Sequence, residues 1–101
     1  MQLEFESGRI VRNATPEHVY QYLDGEVFAI LSVSAGTYMQ CARQHEAPRQ
    51  YDLEYQEATT DHHYHAVEGP ISLEQVHSAF CKYLRGDDSW KTDFHWEQMR
   101  L

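Results

Sequence analysis

Three histidines and an acid fall within five residues at Asp61-His62-His63-Tyr64-His65. Histidine is the commonest metal ligand and ionises near neutral pH, so the stretch invites metal or acid–base chemistry. Strand alternation places His63 and His65 on one face, where the preceding segment "YDLEYQE" can bring Glu54 or Asp52 across from them. Two imidazoles and a carboxylate are a usual ligand set for Zn²⁺ or Fe²⁺, here His63, His65 and Glu54, and either carboxylate could act as a general base. A metal site also needs a pocket that excludes water and partners that fix the rings, which a sheet surface does not supply by itself.

A plainer origin accounts for the same pattern. A half-solvated antiparallel hairpin needs one apolar and one polar side. Tyr51, Leu53, Tyr55, Tyr64 and Ala66 form the first, and Asp52, Glu54, Gln56, His63 and His65 the second. On this reading the histidines balance facing carboxylates in solvent, and alanine at both His63 and His65 changes stability by less than ~1 kcal/mol.

Other reactive groups have weaker settings. His77 and Cys81 are four apart on a predicted helix and so are neighbours, but Cys81 follows Phe80 and reads as a core-edge residue, with His77 near the surface. "RGDDSW" lacks the alternating oxygen ligands of a Ca²⁺ loop and falls where a helix must end. The sequence holds no phosphate-cradling glycine loop, nucleophile elbow or HExxH. Cys41 and Cys81, distant in sequence and in apolar surroundings, are expected to be reduced and buried.

The elements that must position these residues follow from local pattern. "QLEFE" alternates with Leu3 and Phe5 on one face, and "RIVRN" continues it as a bent strand or closes a small hairpin. "ATPEHVYQYLDG" predicts a helix with Thr15 as N-cap, Pro16 at the first helical position, Glu17 in the first turn, Gly25 at the exit, and Val19, Tyr22 and Leu23 buried. "EVFAILSV" is apolar at successive positions, which predicts a central strand covered on both faces, returning through Ser34–Thr37 along "YMQCAR". After the loop "QHEAPRQ" and the histidine hairpin, Gly69-Pro70 breaks the chain. "SLEQVHSAFCKYLRG" then predicts a helix with a Ser72–Gln75 capping box, a face of Val76, Ala79, Phe80, Tyr83 and Leu84, and Gly86 as terminator. "WKTDFHW" alternates as a closing strand, with Trp90, Thr92, Phe94 and Trp96 inward. These elements predict a single α+β domain over residues 1–101, in two layers: a mainly antiparallel sheet of about five to six strands, with two helices packed on one face.

Sixteen acids against eight Lys and Arg give a formal charge of −8, which opposes binding to nucleic acid or an anionic membrane and favours a basic partner. No run of ~18 apolar residues is present, and the start "MQLEFESGRI" has no leader pattern, so a cytoplasmic protein is expected.

The segments "ESGRIVRNATPEHV", "FAILSVSAGTYMQCA", "YDLEYQEATTDHHYHA" and "VHSAFCKYLRGDDSWKTDFHWEQM" together resemble a set of small bacterial α+β proteins of about this length, loosely similar to immunity proteins of polymorphic toxin systems. The matching positions are mainly core and cap residues, which specify a fold and carry no catalytic residue across. The resemblance implies a non-enzymatic protein-binding domain that needs no cofactor and covers a basic partner with an acidic and aromatic surface. Candidate contacts on the polar faces are Asp52, Glu54, His63, His65, Asp93 and Glu97. The alternative is a metal-binding accessory protein or metal-dependent enzyme using His63, His65 and Glu54. A homodimer through a sheet edge or the aromatic C-terminal strand is a further expectation.

Overall fold

Alternating burial sets the strands, and the computed structural model describes them over residues 1–67 and 71–100. The predicted break at Gly69-Pro70 lies outside the described residues. In β1 (Gln2–Phe5), Leu3 and Phe5 are buried while Gln2 and Glu4 are partly exposed. Gly8, at φ 94°, turns the chain into β2 (Ile10–Val11), which pairs back on β1 as a small hairpin. Helix α1 (Pro16–Tyr22) starts at an extended Thr15, whose N–H donates to His18 Nδ1 at 3.0 Å. Val19 and Leu23 are buried beneath it, and Gly25, also at φ 94°, ends the segment.

Two hairpins build the centre: β3 (Phe28–Ser34) with β4 (Thr37–Arg43), and β5 (Gln50–Glu57) with β6 (Thr59–Ala66). In β3 only Ala29 and Leu31 are buried, whereas Phe28, Ile30 and Ser32 are partly exposed and Val33 is exposed. The expectation of cover on both faces is corrected here, because both long helices pack on the other side. An unbroken apolar run marked a strand whose second face is apolar yet open.

After the short β7 (Ile71–Ser72), helix α2 (Leu73–Arg85) forms with the predicted box: Gln75 N–H donates to Ser72 Oγ, and Ser72 N–H to Gln75 Oε1. Val76, Ala79, Phe80 and Cys81 are buried, and Gly86, at φ 72°, closes the helix by donating to Lys82 and Tyr83 carbonyls.

The predicted closing strand "WKTDFHW" is corrected. Trp90–Asp93 make one helical turn, α3, and pairing begins only at β8 (Trp96–Gln98). Trp90 and Phe94 are buried, while Thr92 is exposed. Positions four apart lie on one face of a helical turn, and an even spacing also fits a strand, so the aromatic pattern served both. The turn lets Trp90 and Trp96 meet the ring of Tyr55 edge-on, each with centroids 4.7 Å apart.

Among the described residues the sheet has eight strands, all paired antiparallel, in the order β2-β1-β3-β4-β5-β6-β8, with β7 also on β5. The α+β class and the antiparallel sheet agree with expectation. The hairpin alternative holds for β2 and the closing strand is shortened to β8, while β7 and α3 are additional, too short for their periodicity to be read. Cys41 and Cys81 are free and buried, and burial pushes the Cys41 thiol up to about 12. Among the described residues no helix is long and apolar enough to cross a membrane.

Candidate functional site

Strand registry assembles the polar side chains of the open sheet face into two cross-strand rows. One runs Gln2, Ser32, Tyr38, Gln56, His63, and the other Glu4, Ile30, Gln40, Glu54, His65, Glu97. The histidine hairpin has the predicted sidedness, with Tyr55 opposite Tyr64, Gln56 opposite His63 and Glu54 opposite His65.

His63 is 1% exposed, although no helix covers this face. The expectation of a solvated imidazole is corrected. Neighbours in the sheet wall it in: the Tyr38 ring stands edge-on at 6.0 Å between centroids, and the chain beyond β8 runs alongside, with Met99 N–H donating to the His63 carbonyl at 2.8 Å. The ring is bonded at both nitrogens. Nε2 lies 2.7 Å from Glu54 Oε1, and Nδ1 lies 3.0 Å from Gln56 Oε1, with the Tyr38 hydroxyl at 3.5 Å.

The partners are themselves fixed. Gln40 Nε2 donates to the same Glu54 oxygen at 3.1 Å, the Tyr38 hydroxyl donates to Gln56 Oε1 at 3.2 Å, and Gln56 Nε2 donates to the Gly36 carbonyl at 3.1 Å. Burial, and secondarily the Glu54 charge, hold the Tyr38 phenol above its ordinary value. This is a connected polar network whose members satisfy one another, the condition under which buried polar groups become rigid and specific.

A metal ion at His63 would have to displace one of these bonds. Among the described residues no group of three or more His, Cys, Asp or Glu is gathered as a metal ion requires. His65 stands between Glu54 and Glu97 in the row, and His62 is exposed beside the irregularity that follows Gln56 in the β5–β6 pairing.

Asp52, Glu54, His63, His65 and Glu97 therefore share one face. Asp52 is exposed and accepts from Gln44 Nε2 at 3.2 Å. Asp93 does not join them. It lies on α3 and pairs with Lys82 of α2 at 2.5 Å, because the segment expected to be strand is helical there. Tyr38 and Gln40 were not among the sequence candidates. The signal was the alternation in "YMQCAR", which sets both opposite the polar side of β5 once β4 and β5 pair.

The strand-paired positions of this face carry Glu4, Asp52, Glu54 and Glu97 but no Lys or Arg. Ile10, Phe28, Ile30 and Tyr38 stand among them, with Ile10 exposed and the others partly so. No family model, curated protein or solved structure matches the chain.

Proposed function

We propose that the protein is a non-enzymatic binding domain that takes a basic protein partner on the open face of its sheet, as an immunity-type protein covers a toxin. The observation that carries this reading is the composition of that face: four carboxylates and no Lys or Arg at its paired positions, interleaved with aromatic and branched apolar side chains. A formal charge of −8 would steer such a partner and raise its on-rate. Apolar groups ringed by charge are the usual make-up of a surface where a few anchors supply most of the affinity. The His63 network would hold the centre of the surface rigid, so that less conformational freedom is lost on association.

The test is a charge reversal at the two exposed acids, Asp52→Arg with Glu97→Arg, which leaves the network intact. A partner retained by the wild-type protein at low salt should have a basic contact surface, lose affinity as salt rises, and be released by the double variant. Retention that is indifferent to salt, or equal for the variant, would sink the proposal. So would amide shift changes, on titration with that partner, confined to the helical layer.

A further inference from the structure

At one corner of the fold, the chain after α1, the ends of β4 and β5 with the loop between them, and the start of α2 line an open pocket of about 370 Å³. Its walls include Arg43, Arg49, Tyr51 and Ser72, with Asp24 and Glu74 also present, and Pro48 and Leu73 supply apolar surface. This volume is within the range of small-molecule sites, which combine apolar walls with a few placed polar groups.

Arg43 pairs with Tyr51 across β4 and β5, on the helix-facing side of the sheet. Tyr51 is 4% exposed: its ring is covered, while its hydroxyl, which has no hydrogen-bond partner among the described residues, is not fully closed off from solvent. Tyr51 lines the pocket together with Arg43 and Asp24.

Neither Arg43 nor Arg49 forms an ion pair among the described residues, in a chain with twice as many acids as Lys and Arg. The capping box of α2 occupies Ser72 and Gln75, and the first amides of the helix, at Leu73 and Glu74, have no intrahelical acceptor. One side of the pocket thus offers guanidinium, phenol and amide donors, which suit a carboxylate. Asp24 and Glu74 offer acceptors for a cation and oppose a dianion such as phosphate.

We infer that this pocket binds a free α-amino acid with an apolar side chain. Its carboxylate is held by Arg43, Arg49, Tyr51 and the α2 amides, its ammonium by Asp24 and Glu74, and its side chain lies against Pro48 and Leu73. This site is on the opposite side of the sheet from the partner face and does not depend on that reading.

The experiment is calorimetric titration of the full chain with L-leucine, L-methionine and L-phenylalanine, each alongside its N-acetyl and its amide derivative, and with inorganic phosphate. At least one free amino acid should bind, and blocking either its amine or its carboxylate should abolish binding. Arg49→Ala, at an exposed position, should weaken it about ten- to hundredfold, and Tyr51→Phe, which keeps the ring, about fivefold. Circular dichroism of both variants should match the wild type, so loss of binding is not loss of fold. No binding by any of the three amino acids, equal binding of the blocked derivatives, preference for phosphate, or affinity unchanged in both variants would each overturn the assignment.

Discussion

The Nε2 atom of His63 lies 2.7 Å from Glu54 Oε1, and this bond joins two strands at a point that is closed to solvent on the histidine side and part-open on the carboxylate side. His63→Ala removes a fully buried ring and one hydrogen bond each from Gln56 and Glu54. The expected loss is about 2–3 kcal/mol in urea unfolding, whereas His65→Ala, on the same strand, changes stability by less than ~1 kcal/mol. Equal effects at the two positions would show that the network adds nothing to the fold.

The contrast between these histidines measures what sequence can reveal. Alternation placed His63 and His65 on one face correctly, and their chemistry is the same. Burial differs because Tyr38, Gln56 and the chain at Met99 close over one and not the other. Gln56 is the hairpin neighbour that alternation could place, but Tyr38 and the chain at Met99 are 25 and 36 residues away, which no local pattern encodes. N-caps and glycine exits, whose signals sit within a few residues, were legible at both long helices, and the capping box was legible at α2. The Arg43–Tyr51 pocket depends on where four separate segments converge, and it left no signal beyond two arginines near a loop.

His77 tests the helical layer. Burial lowers its pKa below the ordinary 6.5 against the opposing pull of Asp24 and Glu74, and its Nε2 has no partner among the described residues. The folded state therefore binds that proton less readily than the unfolded chain does. The resulting stability is complete above 6.5 and is lost as pH falls below that value through the lowered folded pKa. Thermal melts on either side of pH 6.5 should show a smaller acid-side drop in Tm for His77→Leu than for the wild type; parallel curves would contradict the sign.

The thiols should be inert in the native state. Cys41 is 2% exposed with its pKa raised to about 12 by burial, and Cys81 is equally covered. A thiol reagent at mildly alkaline pH should react with both only at the rate of global unfolding, and rapidly in denaturant. A fast native phase would mean that the α1–α2 side opens locally.

Gly36 supplies a steric test at the other end of the hairpins. A Cβ there would lie 2.4 Å from the Ala58 carbonyl oxygen, a backbone atom that cannot swing aside. Gly36→Ala should destabilise by about 1–3 kcal/mol, read from the denaturation midpoint, while Ala35→Ser, at an exposed neighbour in the same turn, stays within about 0.5 kcal/mol.

The terminal strands of the sheet are β2, two residues long, and β8, three residues long. Each leaves so few free backbone groups that a neighbouring molecule could add hardly a full ladder step, and the irregularity after Gln56 interrupts the pairing of β6 before it could become a longer template. Growth of the sheet from molecule to molecule by strand addition would therefore find few free backbone groups at either of these ends.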